Sequence, residues 1–366
     1  MESFDWILDA ARFAAIAADW DGLAAQDAMP FLMSSWLLAW WRTLAGPRGL
    51  RIAVLRRDGE LVAGLPLWDG PRLWESPVKF DVPPLAGMLA IDDAARARLA
   101  AELIAAAPPE MMLRALPAGE PALDSLLTAA RQAGCRTLVE PMGAALVTET
   151  TGSIDDYRAG LSSKVRSEVG RLRRKAEREH AFELSAIATP HDLDAQWASA
   201  LALEAAGWKG ANGTAVLCRP EIEAFFAELT REFHARGALH ISELSLDGQL
   251  AAVALSIVHQ ERLFTLKVAY DETHRRLGPG FVLLMAMIER CFELGLRAYE
   301  FSGPEEEYER RFATSERGRC LARIYRPGVV AGSRYLYRRR LRPILRDARA
   351  ATRNGRAGTV AGQAKP

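Results

Sequence analysis

The stretch Arg262–Leu294 reads RLFTLKVAY, then DETHRRLGPG, then FVLLMAMIERCFEL. Its first block is rich in β-formers and its last places apolar side chains at helical spacing, so the order is strand, glycine loop, helix. At the junction stands Arg275-Arg276-Leu277-Gly278-Pro279-Gly280. Such a loop turns successive backbone N–H groups toward one point at a helix N-terminus, where an anionic oxygen such as a pyrophosphate's is stabilised by hydrogen bonds and the macrodipole. Glycines there let a ligand approach the backbone closely. A plain Gly-Pro-Gly turn at a helix start has the same short pattern, so the surrounding chain has to decide.

Bulk properties set the bounds. The 366 residues are long for one domain and suit two of ordinary size. A hydrophobic content of 49% with 25% charged residues describes a water-soluble globular chain. The formal charge of +1 argues against DNA as a partner, but the charge is unevenly spread. From Ser333 to Pro366 nine Arg and Lys365 stand against Asp347, a local +9, so the other 332 residues carry −8 by difference. Cysteines 135, 218, 291 and 320 form no Cys-x-x-Cys pair, which points to neither a disulfide framework nor zinc, and to a reducing compartment. The six histidines show no His-Glu-x-x-His spacing, so no metal is expected. The start MESFDWILDA carries acids where a signal peptide needs positive charge, and no apolar run approaches the ~20 residues of a membrane span. A cytoplasmic protein is expected.

Two segments repeat. Leu50-x-Ile52-x-x-Leu55-x-x-Asp58-Gly59-x-Leu61-x-Ala63 matches Leu239-x-Ile241-x-x-Leu244-x-x-Asp247-Gly248-x-Leu250-x-Ala252 at an offset of 189. Both read as β-hairpins closed by Asp-Gly, a dipeptide suited to positive φ. Each follows a helical segment, Phe31–Leu44 or Glu221–Arg236, that begins just after Pro30 or Pro220. A spacing this long indicates duplicated domains rather than a solenoid. The first half continues with a helix over Asp93–Ala106, a strand over Met111–Ala115, a helix over Ala122–Ala133 and a strand over Arg136–Glu140. That alternation implies an α/β fold, with mixed sheets flanked by helices. Only the second half has the glycine loop; the first is proline-rich near Asp81-Val82-Pro83-Pro84.

The spacing Arg-x-x-Gly-x-Gly resembles the acyl-CoA pyrophosphate loop of the GNAT N-acyltransferase superfamily. The chain as a whole resembles the CelD-like acetyltransferases, tandem GNAT-like proteins named for cellulose biosynthesis and related to the Fem aminoacyl-transferases. The residues that carry the likeness are Leu161-Ser162-Ser163-Lys164-x-Arg166 with the basic run to Lys175, Trp208-Lys209-Gly210, Asp247-Gly248, Tyr270-Asp271, Gly278-Pro279-Gly280, and Tyr299-Glu300-Phe301 with Gly303 and Tyr308. Two positions depart from the family: Glu300 stands where Asp is common and Glu309 where Lys is common.

The resemblance implies tandem GNAT-like domains, each a mixed twisted sheet flanked by helices. It divides the chain into an N-terminal domain over 1–150 without a cofactor loop, an acyl-CoA-binding domain over 151–328, and a basic, partly disordered tail over 329–366. Acyl-CoA or acetyl-CoA is then the co-substrate. Its pantetheine pairs along Leu263–Tyr270, including Lys267 and Val268, and its pyrophosphate meets Gly278 and Gly280 with Arg275 or Arg276, since the guanidinium fork matches phosphate geometry. A general base is required because most amines are protonated near neutral pH. Glu243, Asp271 and Glu300 are candidates, with a solvated strand face as the other reading of Glu243. Tyr270 or Tyr308 would protonate the departing thiolate, or simply pack. Trp208 and Lys209 precede a flexible loop that closes over the acceptor or merely anchors the surface.

The tail, Tyr335 to Arg346, mixes aromatics, aliphatics and arginine. Such a segment either lies on an anionic membrane surface at the inner face of the cell membrane or docks as a terminal helix before a disordered end. The leading expectation is N-acyl transfer from acyl-CoA to an amine, either a lipid-like one such as a sphingoid base in ceramide formation or an envelope amino sugar. The alternatives are Fem-type transfer from aminoacyl-tRNA, with the basic helix on RNA, and a non-catalytic GNAT scaffold in exopolysaccharide assembly.

Overall fold

The computed structural model describes residues 1–341 apart from 26, 28, 47–48, 71–72, 80–81, 84–86 and 304–305. Asp81 and Pro84, and the tail from Arg342 to Pro366, therefore lie outside the described residues. The strands are β1 (Glu2–Ile7), β2 (Leu50–Arg57), β3 (Glu60–Trp68), β4 (Leu73–Glu75), β5 (Leu89–Ala90), β6 (Glu110–Pro117), β7 (Arg136–Glu149), β8 (Phe182–Ala188), β9 (Leu239–Leu246), β10 (Gln249–His259), β11 (Arg262–Tyr270), β12 (Ala298–Phe301) and β13 (Ser315–Tyr325). The helices are α1 (Ala10–Ala14), α2 (Ala17–Ala24), α3 (Ser34–Thr43), α4 (Asp93–Ala106), α5 (Pro121–Gln132), α6 (Ile154–Gly160), α7 (Ser163–Glu179), α8 (Leu193–Ala206), α9 (Trp208–Ala211), α10 (Pro220–Ala235), α11 (Pro279–Glu293) and α12 (Val329–Leu336).

The repeated hairpins are the same object built twice. Asp58 and Gly59 have φ of 52° and 90°, Asp247 and Gly248 of 53° and 75°, the paired positive values that a two-residue turn needs. Even the defect is shared. In β2–β3 the register runs Leu55↔Ala63 and then Arg56↔Leu61; in β9–β10 it runs Leu244↔Ala252 and then Ser245↔Leu250, so each ladder bulges two residue pairs beyond the turn.

All the strands join one sheet, in the order β1-β2-β3-β4-β6-β13-β7-β12-β11-β10-β9-β8, with β5 beside β3. Read from either edge, the order has the same pattern of antiparallel and parallel neighbours, with β4–β6 matching β11–β12 as the parallel pair. The halves are interlocked at the centre. The last strand of the first half, β7, lies beside β12 of the second half, and β13, near the end of the chain, returns to lie between β6 and β7. β7 therefore runs for 14 residues, well past the Arg136–Glu140 segment expected from the sequence. The extra length includes Gly143, a residue poorly suited to a strand interior, which hides the continuation from local propensity.

One face of the sheet carries a core common to both halves. Trp36 of α3 packs edge-on against Phe225 of α10 at 5.4 Å, and Phe31 packs against Phe264 of β11 at 5.7 Å. On the other face α4 and α5 cover the first half, while α7 and α11 cover the second. α12 is held against β13 by ions as well as packing. Buried Glu110 accepts from Arg323 at 3.2 Å and from Arg334 at 3.2 Å, with Arg338 at 3.8 Å. Replacing Glu110 by Ala would leave the buried Arg323 guanidinium with only Glu140, at 3.8 Å, and Arg334 without its carboxylate partner, at an expected cost of about 3 kcal/mol in denaturant unfolding. Amide exchange in 329–336 should also accelerate; unchanged stability and exchange would show that Glu110 does not hold this helix.

Candidate functional site

The register of β11 creates an opening. Its pairing with β12 stops at Thr265↔Phe301, while its pairing with β10 continues to Tyr270↔Ala252. A bulge near Leu266 separates the two regimes, because Thr265 faces Ser256 and Lys267 already faces Leu255. From Leu266 to Tyr270 the side of β11 toward β12 has no strand partner among the described residues. This is the segment for which the sequence implies pantetheine pairing, with Lys267 and Val268 in it. Here the Val268 carbonyl accepts a hydrogen bond from Lys209 Nζ at 3.0 Å. Lys267 lies over the Phe226 ring at 5.1 Å.

Lys209 reaches that carbonyl because α9 is pressed onto α8. A Cβ at Gly210 would collide with the Ala205 carbonyl oxygen, so glycine is required there for steric reasons. The same ammonium pairs with Glu204 Oε1 at 3.1 Å, while Glu204 Oε2 accepts from the Val216 amide at 2.9 Å. Glu204 is buried. It lines a small cavity with Trp197, Lys267, Val268 and Ala269. Sequence reasoning passed over it; the available signal was a lone acid in the Ala- and Leu-rich run Leu201–Ala206. Trp208 is exposed, and its backbone N–H donates to Glu272 Oε1 at 2.8 Å, which ties α9 to the glycine loop.

The loop follows directly. Residues Glu272–Leu277 form a 3-10 turn that ends on Gly278 with φ 57° and ψ 48°, the left-handed conformation natural to glycine. Gly278 is doubly constrained, since a Cβ would lie 2.7 Å from Leu172 of α7. Pro279 then starts the 15-residue α11. Gly280 is different: a Cβ there would lie 3.6 Å from Tyr270, an ordinary contact, so packing alone does not demand glycine. Arg275 and Arg276 are exposed and make no ion pair among the described residues. Two adjacent unpaired guanidinium groups at a helix start provide the charge and donors that a pyrophosphate requires.

The carboxylates proposed from the sequence fall in unlike surroundings. Glu300 is buried, and its Oε1 accepts from Arg262 at 2.6 Å and from Arg317 at 2.6 Å, so it ties β12 to β11 and β13. Asp271 caps the loop: Oδ1 accepts from the Thr273 amide at 2.8 Å and Oδ2 lies 2.9 Å from His274 Nδ1. Burial pushes the Asp271 carboxyl up, but Thr273 and His274 outweigh it and leave it below its ordinary value. Glu243 accepts from Gln196 Nε2 at 2.8 Å through Oε2. It faces Val253 across the ladder, and Val253 lines the cavity shared with Glu204 and Lys267.

Tyr270 and Tyr308 flank the first turn of α11. Tyr270 borders Gly280, and Tyr308 packs edge-on against Phe281 at 5.7 Å. Desolvation, with Glu309 and Glu306 nearby, raises the Tyr308 phenol above its ordinary value and keeps it protonated. The structure also joins residues that the sequence leaves scattered. His180 Nδ1 lies 2.6 Å from Asp247 Oδ2, and the His180 and His274 rings meet edge-on at 5.6 Å. The end of α7, the β9–β10 turn and the glycine loop thus touch through two Asp–His pairs. No group of three or more His, Cys, Asp or Glu suited to a metal occurs among the described residues.

Residues 163–310 match the family model described as acetyltransferase (GNAT) domain. No curated protein matches in sequence. Among solved structures, a conserved protein of unknown function from Bacteroides thetaiotaomicron superposes with a TM-score of 0.57 at 13% identity, covering 88% of this chain and 100% of that one. FemX gives 0.56 at 14%, covering 87% and 96%. The C-terminal domain of an Agrobacterium fabrum protein named as a lysylphosphatidylglycerol synthetase gives 0.55 at 13%, covering 88% and 96%. At these identities the likeness is one of fold, and it extends over both halves. Residues 163–310 carry the likeness to a GNAT-type acetyltransferase domain, and the α/β fold expected from the sequence, a mixed sheet flanked by helices, is the one present.

The two Asp–His contacts give the loop a pH dependence. Asp247 is lowered by His180 first, and Asp271 is also depressed. Depressed carboxylates contribute stability that is fully present above the unfolded value of about 4 and is lost as pH falls through the folded value. Amide exchange in 272–278 should therefore accelerate, relative to intrinsic rates, as pH drops below about 4. Asp271→Asn should be fast already at pH 6 and respond weakly to acid; a native loop insensitive to acid would refute the coupling.

Proposed function

We propose that the protein is an acyl-CoA-dependent N-acyltransferase of the CelD-like kind, acting on a lipid-like amine such as a sphingoid base. One observation carries the first part: the unpaired edge of β11 leads directly into a glycine loop with two unpaired arginines at the start of α11. The thioester, when bound, supplies the activated acyl group. In this reading Gly280 and the amides of the first turn of α11 hold the pyrophosphate, Arg275 and Arg276 neutralise it, and the Leu266–Tyr270 edge pairs with the pantetheine as a β-strand would. Lys209, fixed on Val268 by Glu204, places a positive charge beside that edge, where charge develops on the acyl oxygen.

The amine must lose a proton as its C–N bond forms, and the departing thiolate must gain one. Glu243 is favoured as the base, because Gln196 engages one of its oxygens and leaves the other available. The Asp271 and Glu300 carboxylates are committed to His274 and to two arginines. Tyr308 is favoured to protonate the thiolate by its place against Phe281 in the first turn of α11, where it keeps its proton, and Tyr270 borders the same turn at Gly280. Trp208 and Lys209 border the acceptor. A lipid-like acceptor is favoured over an envelope amino sugar by the basic and apolar C-terminal segment. Transfer from aminoacyl-tRNA is the second reading, because α7 exposes Lys164, Arg171, Arg174 and Arg178 while its Leu172 packs on Gly278.

Native mass spectrometry with short- and long-chain acyl-CoAs tests the cofactor. Gly280→Glu has room for its Cβ and a non-positive φ, so it should fold, yet it sets a carboxylate where the pyrophosphate binds. Binding should weaken by roughly a hundredfold, which corresponds to about 2.7 kcal/mol. Equal binding by the variant, or no acyl-CoA bound by the native chain, would remove CoA from this site; salt-sensitive tRNA binding in its place would select the second reading. Separately, adding a sphingoid base should release CoA from the preferred acyl-CoA, and Glu243→Gln should slow that release at least tenfold. Release with glucosamine but not with the sphingoid base would move the acceptor to the sugar class.

A further inference from the structure

Helix α12 and the wider helical turn Tyr337–Leu341 that continues it present two faces. One is docked. Ala331 and Tyr335 are buried with Tyr325 and Leu138, and Tyr335 packs edge-on against Tyr325 at 5.7 Å. The other is apolar and meets solvent: Val329 is 90% exposed, Val330 59%, Leu336 46% and Tyr337 48%. At roughly 100° per residue these four lie within about a third of the helix circumference, opposite Ala331 and Tyr335. Elsewhere in the described chain large exposed apolar side chains are mostly scattered, which is normal for a protein surface. Here five of them, counting Leu341, fall within 329–341.

The charge of this segment is of one sign. Arg340 is exposed and Arg339 lies over the Tyr335 ring at 5.7 Å. The sequence from Ser333 onward carries a net +9, against −8 for the rest of the chain. Nucleic acid would engage the arginines and leave four apolar side chains in water. A lipid surface accommodates both, since apolar side chains enter the boundary between headgroups and acyl chains while arginines meet the phosphates. No helix among the described residues is long and apolar enough to cross a membrane.

We propose that residues 329–341 dock the protein on an anionic lipid surface, with Val329, Val330, Leu336 and Tyr337 entering the headgroup region and Arg339 and Arg340 on its phosphates. The docked face, anchored through Arg334 and Glu110, keeps the apolar face turned outward without refolding. This surface is built from 329–341 and uses no residue of the glycine loop, so the proposal does not depend on which group the second half transfers.

The test is cosedimentation of the full chain with phosphatidylglycerol–phosphatidylcholine vesicles and with pure phosphatidylcholine vesicles, at about 0.1 M salt. The native chain should partition onto the anionic vesicles. The exposed-site pair Val330→Asp and Leu336→Asp should partition roughly tenfold less or worse, and so should Arg339→Glu with Arg340→Glu. Both variants should keep the native unfolding midpoint and acyl-CoA binding. Absence of the native chain from the anionic pellet, or undiminished partitioning of the apolar pair, would overturn the proposal. A dimer in sedimentation equilibrium that Leu336→Asp dissolves would overturn it in favour of a contact between copies.

Discussion

The structure depends on an exchange of backbone hydrogen bonds at the middle of its sheet. β6 and β12 each lack a neighbour from their own half on the inner side, and each is completed by a strand from the other part of the chain. Unpaired strand edges buried in a protein are costly, because N–H and C=O groups lose water without gaining a partner. The exchange removes that cost for both halves at once, and it makes neither half complete alone. The aromatic contacts of Trp36 with Phe225 and of Phe31 with Phe264 then weld the halves across one face.

That interlock is what holds the candidate site open. β12 is gripped on one side by β7 and is fastened by Glu300 to Arg262 and Arg317, so it cannot slide to follow β11 beyond Thr265. β11 is equally tied to β10 as far as Tyr270. Two strands bound to different neighbours must part, and the gap between them leaves the Leu266–Tyr270 edge of β11 to pair with something else. The glycine loop begins where that edge ends. Function on this reading comes from an edge left unpaired by design of the sheet, with charge supplied by Arg275, Arg276 and Lys209 around it.

The halves share a hairpin, a bulge and a strand order, yet differ at the glycine loop, which only the second half has. Gly278 occupies a left-handed position under Leu172, and α7, which provides Leu172, packs against α11 of the second half. Much of this was readable in the sequence. β11 occupies the expected Arg262–Tyr270, α4 the expected Asp93–Ala106, and the Asp-Gly turns close both hairpins, since each of these elements is specified by local spacing and turn chemistry. The surroundings of the carboxylates were not readable. Asp271, Glu243 and Glu300 look alike in a string of letters. Only their partners, a capped turn with His274, a single amide from Gln196 and a pair of arginines, separate them.

The sequence by itself determined the α/β alternation, the duplicated hairpins and the strand–glycine loop–helix unit, because periodicity, proline and Asp-Gly or Gly-Pro-Gly turns act within a few residues. Only the tertiary structure decided that β7 and β13 cross between the halves, that Glu204 lies buried beneath Lys209, that His180 meets His274, and that α12 turns an apolar face outward. The strand crossings and the histidine contact join residues far apart in the chain, and the burial of Glu204 and the exposure of the α12 face depend on what the rest of the fold packs against them. A linear pattern carries no distance between such residues until the sheet has closed.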